Sequence, residues 1–164
     1  MNRKQEMEDE MMAKLTLKEG KNGTIIDDED KMNFGTVAEE RILAYRKNVR
    51  ENREITYITR SKIHGILALV NKIYNRVIFN PNDVLEPDQV SDIAYLEVKI
   101  AYEMGRDPEK KNGKEIAVKE FLEETYLKNP IKDIVESKKK EDFLLYAKYV
   151  ESLVAYFKFH KGRD

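Results

Sequence analysis

The sequence predicts an all-α protein, a compact bundle of about five helices, on three observations. Apolar residues recur every three or four positions over several long stretches, as one buried face of a 3.6-residue helix requires. Strand-like alternation is nowhere sustained, and no internal repeat is visible. Between the periodic stretches stand groups that suit helix ends, such as Asn80-Pro81-Asn82 and Asn129-Pro130.

Residues 1–33 lack a sustained apolar period and are punctuated by Gly20, Asn22, Gly23 and the acidic run Asp27 to Asp30. They read as a mobile, disordered or loosely helical tail, with room for one short helix around Met7 to Leu17. Residues 34–164 read as a single helical domain. Its first helix runs from about Thr36 to about Arg50, with Ala38, Ile42, Tyr45 and Val49 on one face. Thr59 is placed to cap the second, whose stripe is Ile63, Ile66, Leu67, Val70, Ile73, Tyr74 and Val77. Pro87 suits the first turn of a third, carrying Val90, Ile93, Ala94, Leu96, Val98, Ile100 and Ala101 and closed by Gly105. A charged turn around Lys110 to Gly113 leads to a fourth through Ile116, Val118, Phe121, Leu122 and Tyr126, ended by Asn129 and Pro130. Ile131 to Val135 leave room for one short turn. The last helix, about Lys140 to Phe159, carries Phe143, Leu144, Ala147, Val150, Leu153, Val154 and Phe157, and Gly162 ends it.

Composition removes most catalytic classes. The chain has 164 residues, of which 37% are charged, and a mean hydropathy of -0.68. It has no cysteine, which excludes disulfides, thiolate catalysis and Cys-ligated metals, and only two histidines, His64 and His160. A surface or capping role is the simpler account of each. No apolar run approaches the roughly 20 residues that span a bilayer, and the acidic N-terminus does not resemble a signal peptide, so a cytoplasmic protein is expected. Acidic pairs such as Glu39 and Glu40 lie in charge-mixed helix surfaces, where solvation is the ordinary explanation. No nucleophile, base or cofactor motif converges, and neither enzyme activity nor a cofactor is expected.

The net charge of -1 conceals an asymmetry. Residues 1–33 hold nine acids and six bases, whereas residues 41–76 hold nine bases and two acids. Screening confines each charge to about 10 Å at ordinary salt, so such a local excess attracts phosphate even in a nearly neutral protein. On the second helix Lys62, Gly65, Leu69, Lys72 and Arg76 share neighbouring azimuths beside the apolar stripe, forming a basic ridge. Arg60 and Ser61 sit in the first turn, where a helix N-terminus welcomes an anion. Candidate phosphate contacts are therefore Arg60, Lys62, His64, Lys72 and Arg76, with Arg46 and Arg50 extending the track from the preceding helix. The plainer alternative is that these bases only solubilise the helix, their stems covering apolar neighbours. Tyr45, Tyr74, Tyr95, Tyr102, Tyr126, Tyr146, Tyr149 and Tyr156 offer rings for base stacking, but most lie on or beside apolar stripes and suit core or subunit contacts better.

Three blocks resemble a known family. Thr59-Arg60-Ser61-Lys62-Ile63-His64, continuing to Tyr74, resembles the helix-start motif of the small subunit of the type III-A CRISPR effector, the Csm complex. Glu97 to Arg106 is similar to its lysine, tyrosine-glutamate and glycine-arginine pattern, and Val150 to Phe159 with Gly162-Arg163-Asp164 resembles its C-terminal signature. The blocks occur in the family's order and cover the chain from about Thr36. Two positions depart: His64 stands where an arginine is common, and Phe157 where a histidine is. The acidic tail falls outside the resemblance and reads as a lineage-specific extension. The resemblance implies a non-catalytic subunit of an antiviral ribonucleoprotein, stacked with copies of itself along a filament, contacting guide RNA and target RNA through the backbone beside other Csm subunits. Sequence-independent contact suits such a role, because base pairing supplies the specificity. The rival reading is a helical module that binds protein alone.

Overall fold

The computed structural model describes residues 2–4, 34–52, 57–105 and 117–160. Among them are six helices: α1 (Phe34–Glu51), α2 (Arg60–Val77), α3 (Pro87–Gly105), α4 (Ala117–Glu124), α5 (Asn129–Ser137) and α6 (Lys140–Phe159). The described residues form no strand, and the all-α expectation holds with one helix more than anticipated. Apart from residues 2–4, the expected tail 1–33 lies outside the described residues, as do the turn Lys110 to Gly113 and Gly162.

α6 is the hub. Its face of Phe143, Tyr146, Val150, Leu153 and Phe157 is buried, and both α1 and α2 pack along it. α3 lies against α2 and α5, while α4 bridges α1 and α3. The aromatic centre joins three helices: the Tyr45 ring meets Phe121 edge-on at 5.2 Å between centroids and lies 6.4 Å from Phe157. The Tyr45 hydroxyl accepts the Ile58 N–H at 2.8 Å, so the same residue fixes the chain entering α2.

α2 begins where its sequence indicates. Thr59 accepts the Lys62 N–H at 3.3 Å, satisfying one of the amides that a helix start leaves without an intrahelical partner. Ile63, Ile66, Val70, Ile73 and Val77 are buried, while Leu67 and Tyr74 only flank them, half-buried. On α3 the buried set is narrower than the apolar set. Ile93, Leu96 and Ile100 are buried, but Ala94, Val98 and Ala101 face outward, because the neighbouring helices cover only one side of it.

The fourth helix ends earlier than expected. α4 stops at Glu124, and Tyr126 takes a left-handed φ of 53°, so it stands in a turn rather than on a helix. Pro130, expected as a terminator, instead occupies the first turn of α5, where its missing N–H costs nothing. α5 spans nine residues rather than one turn. α6 ends at Phe159, and the His160 N–H bonds the Tyr156 carbonyl at 2.9 Å.

A polar clamp fixes the α2–α3 turn. Asn80, buried, donates to Val84 O and to Gln89 Oε1, each at 3.0 Å, and Gln89 Oε1 also accepts the Glu86 N–H at 3.0 Å. The last bond is half of a capping box for α3. The turn is stitched to the start of α6 by Leu85 N–H to Lys138 O at 2.8 Å, Lys140 N–H to Asp83 O at 2.9 Å and Lys140 Nζ to Asn80 O at 2.7 Å.

Candidate nucleic-acid interface

The burial of Ile63, Ile66, Val70, Ile73 and Val77 turns the flank of α2 carrying Leu69, Lys72 and Arg76 toward the seam with α3. The outer half of that seam is a groove of about 430 Å³ lined by Leu69, Lys72, Ile73 and Arg76 from α2 and by Asp92, Tyr95, Leu96 and Lys99 from α3. Three cations thus face one carboxylate. Arg76 pairs with Asp92 across the seam, and Lys99 Nζ lies 5.3 Å from the Tyr95 ring centroid. Lys72 is exposed and makes no ion pair among the described residues.

The seven expected contacts do not share one face. At about 100° per residue, Arg60 and His64 point roughly 80 to 160° away from Lys72 and Arg76. Both are exposed, near the start of α2. Lys62 lies about 40° from Arg76 but about 80° from Lys72, and it precedes Lys72 by about 15 Å of helix. α1 does not continue the ridge directly, since α1 and α2 meet through α6. Arg46 turns to the chain between them: its guanidinium lies 5.2 Å from the Tyr57 ring centroid, and the Tyr57 hydroxyl donates to its carbonyl at 3.3 Å. Arg50 is exposed in the last turn of α1, where a cation also suits the helix dipole. Five of the seven therefore fall into two groups, Lys72 and Arg76 in the groove and Arg46, Arg50 and Arg60 near the α1–α2 connection.

Sequence spacing alone does not single out Asp92, Tyr95 and Lys99 as site residues. Their intervals of three and four on α3 put them on one flank, but which helix that flank meets is set by packing. The tyrosines divide as their stripes indicate. Tyr45, Tyr146 and Tyr149 are buried, whereas Tyr95 and Tyr102 are 57% and 62% exposed. Phe157 is buried in the core, and Phe159, two residues on, is 74% exposed.

Other chemistry finds little support in the described residues. They contain no group of three or more His, Asp or Glu side chains able to hold a metal ion, and no helix long and apolar enough to cross a membrane. His160 faces Glu39 at 3.2 Å, away from the groove. Glu120 has its carboxyl raised from the usual range, first by burial and then by Glu123, against a hydrogen bond from Asn48 at 3.5 Å.

These features define a small helical protein with a cationic seam between two of its helices. Residues 38–163 match the family model for Csm2 of type III-A. The chain is 34% identical over 156 residues to the CRISPR system Cms protein Csm2 of Enterococcus italicus, an alignment that covers 92% of this chain and 100% of that protein. It is 33% identical over 115 residues to the protein of the same name from Streptococcus thermophilus, covering 70% of this chain and 83% of the relative. The chain belongs to the Csm2 family, and is thereby a small subunit of a type III-A CRISPR complex. Coverage of 92% leaves only about 13 of the 164 residues unmatched, so part of 1–33 has a counterpart in the Enterococcus protein and the tail is not wholly lineage-specific.

Proposed function

We propose that this chain is a non-catalytic small subunit of a Csm ribonucleoprotein that holds guide and target RNA by the phosphate backbone, stacked with copies of itself along a cytoplasmic filament in antiviral defence. Other Csm subunits are its protein partners. The observation that carries the RNA contact is the seam, where Lys72, Arg76 and Lys99 converge from two helices with Asp92 as the single acid. Cations held at fixed spacing on packed helices can follow successive phosphates without reading bases. Membership of the Csm2 family supports the setting.

The test replaces Arg60, Lys62, Lys72 and Arg76 together by alanine within the assembled complex. RNA affinity is expected to fall similarly for unrelated guide and target sequences, because charge attraction carries no base information. The slope of log affinity against log salt should shrink by about one unit, or slightly less, for each phosphate no longer neutralised. Arg76, already paired with Asp92, should contribute less than the exposed Lys72. An unchanged slope in a folded variant would show that RNA runs along another surface. A protein-only module is the second reading, favoured by the outward line of Tyr95, Val98 and Tyr102 on α3. It requires no measurable RNA binding at low salt.

A further inference from the structure

Phosphate contacts account for the cations of the α2–α3 seam but not for the ring among them. Tracking a backbone needs charge alone, yet Tyr95 stands 57% exposed in the groove, with a cation 5.3 Å from its centroid. Leu69, Ile73 and Leu96 supply an apolar lining, and the volume of about 430 Å³ falls within the roughly 300–1,000 Å³ of small-ligand sites. An aromatic ring in a cationic groove is the combination by which single-strand binders hold nucleotides, because every base has a π face.

From this arrangement we infer that the groove between α2 and α3 takes one unstacked nucleotide of the bound RNA, its base against Tyr95 and its phosphate between Lys72 and Lys99. The inference rests on the RNA reading above and deepens it. A base inside a duplex is covered by its neighbours on both faces, so the groove accepts a nucleotide turned out of the helix or lying in an unpaired stretch. Base identity matters little, since stacking tolerates all four. Asp92 opposes entry twice: it occupies Arg76, and it repels the incoming phosphate.

The test titrates full-length protein at low salt with two probes, a short single-stranded RNA and a ribose-phosphate chain of equal length that lacks bases. Tyr95→Ala should weaken RNA binding about five- to hundredfold, the range for losing one base–aromatic stack. Tyr95→Phe should stay close to the parent, and the baseless chain should bind parent and Tyr95→Ala alike. RNA binding unchanged by Tyr95→Ala overturns the subsite. If Lys72→Ala and Lys99→Ala still weaken RNA binding in that case, the backbone reading survives; if they do not, it falls too. An equal loss on both probes also overturns the subsite, because the ring then serves the fold. So does loss of co-purification with another Csm subunit while RNA affinity stays intact, which would make the groove a protein contact.

Discussion

At the scale of single residues, two tyrosines secure the turn on which the C-terminal half depends. Tyr146 donates its hydroxyl to Leu127 O at 2.7 Å, and Tyr149 donates to Thr125 O at 2.6 Å, so carbonyls on either side of the left-handed Tyr126 are satisfied from α6. Burial pushes both hydroxyls far above the ordinary tyrosine range; Tyr149 raises Tyr146 further, whereas Arg41 pulls Tyr149 back. The folded protein holds these protons more tightly than the unfolded chain does. Their contribution is therefore complete below about pH 10 and is lost as the pH rises beyond it. Alkaline denaturation should begin there, with tyrosinate absorbance from these two residues appearing only on unfolding. Tyr149→Phe should cost about 1–3 kcal/mol by leaving the Thr125 carbonyl without its donor, as urea denaturation can measure. Arg41 is the converse case. It is 3% exposed, its Nε and Nη2 find no hydrogen-bond partner, and its guanidinium sits 4.5 Å from the Tyr126 ring centroid. A buried charge with two of its three nitrogens unbonded is costly, so Arg41→Met, of similar length and apolar, should keep or raise the melting temperature.

At the scale of elements, what could be read from sequence was whatever neighbouring residues decide. α2 is the clearest instance, because the Thr59 cap, the stripe from Ile63 to Val77 and the ridge of Lys62, Lys72 and Arg76 all follow from positions along one helix. The same arithmetic sets Arg60 and His64 about 120 to 160° from Arg76, and grouping them with it confuses nearness in sequence with a shared face. Pro130 misleads because proline is as much at home in the first turn of a helix as after its end, and only the Tyr126 turn decides between the two. The groove is out of reach for another reason: Lys99 and Tyr95 join Lys72 only once α3 lies beside α2. α2 also carries an unused opportunity. Gly65 lies in its interior, exposed, and an added Cβ would meet nothing within 4 Å. Gly65→Ala should therefore stabilise the protein by about 0.5–1 kcal/mol, read as a melting temperature a few degrees higher.

At the scale of the whole molecule, the charge asymmetry acquires a direction. The nearly neutral chain concentrates its local cationic excess on α1, on α2 and across the α2–α3 seam, so that field is local and should be screened strongly by salt. The packing has a direction as well. α1 and α2, formed early in the sequence, rest chiefly on α6, and the turn between α2 and α3 is stitched to Lys138 and Lys140. During synthesis, which adds roughly 5–20 residues per second from the N-terminus, the early helices emerge before the surface they need. Nascent chains arrested before Phe143 should thus remain open to protease, and those extended past Phe157 with room to clear the ribosome should become resistant. A product cut within α6 should therefore be unable to close its core. Translation through α6 would then act as a check that only full-length copies are competent to assemble.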